Sequence, residues 1–324
     1  MSKYTFGPVI SRRLGKSLGV NNIPYKTCTY SCTYCQLGRT EDFTIERRSF
    51  YDWREIVSDV VKTVNDINKE ADYITFVPDG EPLLDINIGL EIDGIKKEES
   101  IPVAVITNSS LLYLKECRED LFEANLVSVK VDSVEEKSWR KINRPYPKLS
   151  FDKVLEGIEE FSKQFKGKLI TETMLIEGSN TDREDIDSVA LFIKKLNPYK
   201  AYISIPIRPP AEAFVKPPEP VKIVEAHEIF NERLGEGKVE LLNLPEPPPL
   251  SVHGDPATWL LSVTSVHPQR IEYAINSLKS VVEKPEELIA KLESEGLIRI
   301  VEYSGSKFVV RWFEKEKKAK RGTK

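Results

Sequence analysis

Between residues 19 and 205 the chain alternates short apolar runs with amphipathic stretches, and this limits the folds open to it. Runs at 73–77, 102–107, 126–131, 169–176 and 201–205 are rich in β-branched residues and apolar on both sides, and an earlier strand is expected near 19–24. Between them, Trp53, Ile56, Val57, Val60, Val61, Val64 and Ile67 recur at three- and four-residue spacing, which makes one apolar helix face. Further helical stretches cover 111–122, 151–165 and 183–196. Strands buried on both faces and separated by helices form parallel sheets of βα units. About six such units are too few for a closed eight-unit barrel, so the sequence predicts an α/β fold, a partial (β/α)6 TIM-like barrel.

A segment at 208–221 holds five prolines and follows the sixth strand, at the strand end where α/β enzymes place their sites. A second Pro-rich stretch, 244–256, reads as a linker. Beyond it, a strand is expected at 259–266 and helices at 269–278 and 285–295, the second stopped by Gly296. Runs at 297–303 and 307–312 then form a hairpin around Ser304, Gly305 and Ser306. That order outlines a winged helix. The expected division is a barrel domain over 1–243, the linker over 244–256 and a winged-helix-like domain over 257–324.

No apolar run reaches the roughly eighteen residues of a membrane span, and the N-terminus lacks the long apolar stretch of a secretory signal. The chain is therefore expected in the cytoplasm with no membrane partner. A net charge of -4 gives no global attraction to nucleic acid, and the basic run at 315–324 reads as a solvated tail. Charged residues make up 30% of the chain, with a Glu and Lys bias typical of thermophile proteins.

Three of the four cysteines fall within eight positions, as Cys28-x3-Cys32-x2-Cys35. Disulfide scaffolds spread their cysteines, whereas a cluster of them points to metal or redox chemistry. Three thiolates on one loop can hold three irons of a [4Fe-4S] cluster and leave the fourth open to a small chelating ligand. The amino and carboxylate groups of S-adenosylmethionine suit that position, and electron transfer to its sulfonium releases a 5′-deoxyadenosyl radical. Two alternatives stay open: a zinc site with Cys117 as fourth ligand, and a CxxC redox pair of Cys32 and Cys35.

The motif resembles that of the radical S-adenosylmethionine superfamily, including the aromatic residue before the third cysteine, Tyr34, which in the family lies against the adenine. Gly80-Glu81-Pro82, after the run at 73–77, resembles the family's glycine-rich motif, which meets the cofactor's amino group; Pro78 and Asp79 depart from the small residues usual there. Asn108 and Ser109 end the third strand. Asp132 and Ser133 end the fourth, where relatives contact the ribose or carboxylate of the cofactor, and Glu172 lies on the fifth, where a buried carboxylate needs a partner. Each is either a cofactor contact or a polar strand cap. The resemblance implies an iron–sulfur oxidoreductase served by an electron donor of ferredoxin or flavodoxin type.

Residues 7–15 and 17–19, the segment Tyr25 to Cys28, then 36–40, and Ile142-Asn143-Arg144-Pro145 resemble small members of the group near the wyosine-forming tRNA-modification family. Archaeal wyosine synthase carries a second cluster on further cysteines. Only Cys117 remains here, so that activity is not expected. Arg12, Arg13 and Arg144, and less directly Lys26 and Arg39, are candidate anion ligands for substrate.

The resemblance and the appended winged helix together imply tRNA or another RNA base as substrate. Lys307, Arg311 and the basic tail favour nucleic acid, while Glu283, Glu286, Glu287, Glu293 and Glu295 oppose it. A protein or peptide substrate, activation of a partner enzyme, and a zinc-stapled RNA-binding protein without catalysis are the alternatives. Of the three histidines, His253 in the linker and His267 before a proline are expected at the surface. No residue is assigned as general acid, base or hydrogen donor.

Overall fold

The computed structural model describes residues 2–242 and 252–312. An antiparallel hairpin, β1 (Thr5–Ser11) and β2 (Gly15–Val20), opens the chain. From β2 the sheet continues in parallel through β5 (Tyr73–Phe76), β6 (Val103–Thr107), β7 (Leu126–Lys130), β8 (Lys168–Met174), β9 (Lys200–Ser204) and β10 (Val239–Leu242). Two short strands, β3 (Thr27–Cys28) and β4 (Asp42–Phe43), pair with each other in the loop after β2.

The helices are α1 (Trp53–Asp66), α2 (Ile88–Glu98), α3 (Lys115–Glu119), α4 (Glu136–Asn143), α5 (Phe151–Gln164), α6 (Arg183–Leu196) and α7 (Pro220–Leu234). The apolar stripe of α1 (Ile56, Val57, Val60 and Val64) is buried, and the Asp52 carboxylate caps the helix by accepting from the Arg54 N–H at 2.9 Å. Leu18, Ile74, Phe76, Val103, Val105, Val127 and Val129 are fully buried, as strands covered on both faces require. Within the curl of the sheet, Leu14 from the β1–β2 turn packs with Ala104, Leu126, Ile170, Tyr202 and Leu242 and fills the floor of a partial barrel.

The partial barrel matches the expectation, with a seventh parallel strand and an antiparallel edge added. The first parallel strand lies at Gly15–Val20 rather than near 19–24. The helical stretch at 111–122 shrinks to the five residues of α3. Three helices the periodicity did not yield are α2, α4 and α7. The boundary signals of α7 were in the sequence, with Pro220 in its first turn and Gly235 ending it at φ 95°.

After the undescribed residues 243–251 comes α8 (Pro256–Val266), where a strand was expected. WLLSVTSV is apolar on both sides, so its period is unreadable. The Asp255-Pro256 start decides for helix: the aspartate accepts from the Thr258 N–H at 2.8 Å, and Trp259, Leu260 and Val263 are buried at helical spacing. Next come β11 (Gln269–Arg270), α9 (Ile271–Leu278), α10 (Pro285–Ser294), β12 (Ile298–Tyr303) and β13 (Ser306–Arg311), with strand order β11-β13-β12. These elements share their own core, which Val9 of β1 joins. The basic tail at 315–324 and most of the Pro-rich stretch lie outside the described residues.

Candidate active site

The barrel interior opens onto a cavity of about 350 Å³, and Cys28, Cys32 and Cys35 all line it. The loop that carries them is stitched down by backbone hydrogen bonds on two sides. On one side the Lys26 N–H donates to the Asp79 carbonyl (2.9 Å) and the Glu81 N–H to the Thr27 carbonyl (3.1 Å). On the other, the Ser31 and Thr33 N–H groups donate to the carbonyls of Asn143 (3.1 Å) and Ile142 (2.9 Å) at the end of α4. Gly80 permits the first approach, since a Cβ there would stand 1.8 Å from the Thr27 carbonyl oxygen. Two amides also reach the sulfurs, Asn108 Nδ2 at 3.5 Å from Cys28 Sγ and Asn143 Nδ2 at 3.5 Å from Cys32 Sγ. Burial pushes the Cys28 and Cys35 thiols up and the Cys32 thiol up to about 12, so without a metal the three sites favour the neutral thiol. Among the described residues, no three His, Cys, Asp or Glu side chains converge where one metal ion could sit.

Tyr34, Gly80, Asn108 and Glu172 line the cavity. Glu81 and Pro82 do not: Glu81 is fully buried behind the wall, and Pro82 is buried next to it. The Glu81 carboxylate accepts from Thr107 Oγ1 (2.6 Å), the Asn108 N–H (2.7 Å) and the Leu83 N–H (3.1 Å), and so fixes the end of β6. Burial raises its pKa to about 7 against those hydrogen bonds. Asp132 is also turned inward, accepting from the Met174 N–H (2.8 Å), Asn143 Nδ2 (2.7 Å) and the Tyr34 hydroxyl. Ser133 exchanges hydrogen bonds with the Glu135 backbone at the start of α4. Glu81 and Asp132 thus hold cavity residues instead of lining the cavity, and Ser133 holds the start of α4.

Glu172 has the partners a buried carboxylate needs. Arg13 and Lys130 (2.8 Å) pair with it, and Ser204 donates to it at 3.0 Å. Arg12 joins Arg13 on the cavity wall. Arg144 does not; it ends α4 at φ 44° and pairs with Glu212, which also holds Arg39 through two nitrogens at 2.8 and 3.1 Å.

Several lining residues were missed. Asp79 was read as a departure from a motif, yet it lines the cavity, and its Oδ1 is buried without a hydrogen-bond partner. Asn21 donates to its other oxygen at 3.0 Å, and burial lifts its pKa to about 7. Lys130 and Arg208 also line the cavity, as does His267, expected at the surface. The signal available for Asp79 and Lys130 was their place at the C-terminal ends of β5 and β7. For Arg208 it was the Pro-rich segment. Nothing local marks His267, because the fold of the C-terminal elements delivers it.

This loop, on this end of this sheet, defines the class: the chain belongs to the radical SAM superfamily, whose family profile matches residues 22–191. Membership implies an enzyme that works with S-adenosylmethionine, an iron–sulfur cluster and a reductant. More particularly, the chain is 46% identical over 307 residues to the UPF0026 protein MJ1312 of Methanocaldococcus jannaschii, covering 94% of this chain and 95% of that one. A probable dual-specificity RNA methyltransferase, RlmN of Endomicrobium trichonymphae, is 23% identical over 188 residues, covering 56% of this chain and 52% of its own. Streptococcus suis SuiB, solved bound to S-adenosylmethionine, shares the fold at a TM-score of 0.51 and 13% identity, covering 69% of this chain and 51% of that one. Among the described residues no helix is long and apolar enough to cross a membrane.

Proposed function

We propose that Cys28, Cys32 and Cys35 hold a [4Fe-4S] cluster, that S-adenosylmethionine binds in the adjoining cavity, and that the chain modifies an RNA base. The observation that carries the reading is the pinned three-cysteine loop facing a cavity that also presents Asp79. A cluster takes one thiolate per iron, so the thiols need not converge on a single point, as a lone zinc ion would require. Cys117 is buried on α3 away from the cavity and does not supply a fourth zinc ligand. A bound cluster would supply the one electron for reductive cleavage of a sulfonium C–S bond of S-adenosylmethionine, giving methionine and a 5′-deoxyadenosyl radical.

The chain's own residues bind and orient. The unpaired Asp79 oxygen is a ready acceptor for the ammonium of the cofactor, and the Gly80 backbone lies beside it. Tyr34, with its hydroxyl held by Asp132, offers a ring face to the adenine. Asn108 and Asn143 hold Cys28 and Cys32. Glu81 positions Asn108, and Asp132 positions Tyr34 and Asn143, from behind.

The RNA assignment draws on the likeness to an RNA methyltransferase and on the basic side chains of the cavity. We read the C-terminal elements, in the order helix, short strand, helix, helix and hairpin, as a winged-helix module that starts near residue 256. The barrel unit then ends near 242. Anaerobic reconstitution should give about four irons per chain, and total tRNA should raise 5′-deoxyadenosine release. Zinc without iron would overturn the cluster, and a release rate indifferent to tRNA would overturn the RNA substrate. Asp79→Asn should weaken S-adenosylmethionine binding about tenfold in equilibrium dialysis.

A further inference from the structure

Two asparagines beside the cysteine loop are built alike: each bonds both a buried carboxylate and a cysteine sulfur. Asn108, just past β6, donates its backbone N–H to Glu81 Oε2 at 2.7 Å and its side-chain Nδ2 to Cys28 Sγ at 3.5 Å. Asn143, the last residue of α4, donates Nδ2 to Asp132 Oδ2 at 2.7 Å and to Cys32 Sγ at 3.5 Å. The two side chains come from different elements and reach different sulfurs.

Neither amide is free to turn. A side-chain amide carries two N–H donors at one end and an acceptor oxygen at the other. Asn108 Oδ1 accepts from the Ser110 N–H at 3.0 Å, and one of its N–H groups goes to Thr29 Oγ1 at 2.8 Å. Thr29 is fixed in turn by a hydrogen bond with Ser110 Oγ at 2.6 Å. The second N–H of Asn108 is left to face Cys28. Asn143 must present nitrogen to the Asp132 carboxylate, because two oxygens would repel there. Its second N–H faces Cys32 Sγ and, at 3.4 Å, the Tyr34 oxygen.

We propose that Asn108 and Asn143 set the reduction potential of the cluster, each by donating an N–H to a ligand sulfur. The inference rests on the cluster reading above. Reduction adds one electron, taken from the external reductant, and part of its charge settles on the thiolate sulfurs. Hydrogen bonds to those sulfurs are among the levers that move the potential of an iron–sulfur cluster. A donor already fixed at the sulfur stabilises the added charge, and a site poor in water strengthens the effect. The carboxylates act in the opposite sense, since Glu81 lies within electrostatic reach of Cys28 and Asp132 within reach of Cys32. The amides therefore stand where an electron is hardest to add, and removing either one should make the cluster harder to reduce.

The test is a mediated potentiometric titration of the reconstituted full-length chain without S-adenosylmethionine, read by the electron paramagnetic resonance of the reduced cluster. Asn108→Leu keeps a branched side chain, brings no donor and keeps water out. At a fixed poise it should lower the ratio of reduced to oxidised cluster about tenfold, which is a midpoint lower by about 59 mV. Asn108→Ala should fall between, because water entering from the cavity donates in place of the amide. Asn143 shares its donor with Tyr34, so Asn143→Ala should lower the ratio about threefold, or about 28 mV. The double variant should lower it about thirtyfold, since separate sulfurs contribute independently. A merely structural role for Asn108 predicts the reverse order, with the shape-keeping leucine nearest wild type. The midpoint is read from whatever fraction loads, so incomplete loading does not obscure it. A midpoint unmoved in Asn108→Leu or in Asn143→Ala would remove that residue from the tuning and leave the cluster reading standing. The reverse order at Asn108 would do the same. A wild type that binds zinc and no iron would overturn both readings together.

Discussion

Replacing Gly80 by alanine tests how the cysteine loop is held. The new Cβ would lie 1.8 Å from the Thr27 carbonyl oxygen and 2.7 Å from its carbonyl carbon, both backbone atoms that cannot rotate aside. Ordinary contact begins near 3.4 Å, so the loop or the turn after β5 must retreat by about 1.6 Å. Gly80 has no left-handed φ, so the penalty is steric alone. Overpacking costs about 1–3 kcal/mol, and the two backbone bonds between Lys26–Thr27 and Asp79–Glu81 add about 1 kcal/mol each. A total of about 3–5 kcal/mol should lower the melting temperature of the metal-free chain by about 6–20 °C. Because Cys28 follows Thr27 directly, iron content after anaerobic reconstitution should also fall well below wild type. Gly178→Ala is the control, with φ +64° and no atom within 4 Å, and should cost only about 1 kcal/mol. If Gly80→Ala melts alongside that control and holds full iron, the pinned-loop reasoning is wrong.

Glu81→Gln should destabilise most at low pH. The folded carboxyl titrates near 7 against an ordinary 4.5, so its contribution is full below 4.5 and is lost as pH rises through 7. Calorimetry should find the gap to wild type narrowing from pH 5 to 8 by up to about 3 kcal/mol, and a widening gap would refute the assignment. Glu172→Ala leaves the half-buried Lys130 and Arg13 facing each other, with Asp132 3.8 Å from the amine, and should cost about 2–3 kcal/mol in urea unfolding. Cys28→Ala should abolish iron loading, whereas Cys117→Ala should leave it intact in the same assay.

The parallel sheet was legible because strands buried on both faces leave continuous apolar runs, as in 73–77 and 126–131. Helix α8 was not, since a segment apolar on every side has no period and only Asp255-Pro256 betrays it. The cysteines and Tyr34 could be read locally because one loop carries them. Glu81 and Asp132 could be recognised as important but not placed, because a motif does not say which way a carboxylate turns. The burial of Glu81 behind β6 and the exposure of Asp79 to the cavity depend on where the Thr27 carbonyl sits against Gly80. His267 needed the whole C-terminal fold to carry it across the open side of the sheet.

The cysteine loop owes its shape to backbone bonds with the turn after β5 and the end of α4, and to the absent side chain at Gly80. Those contacts tie one short loop to two separate parts of the barrel, so a shift in the turn after β5 or at the end of α4 is passed straight to the spacing of the three sulfurs.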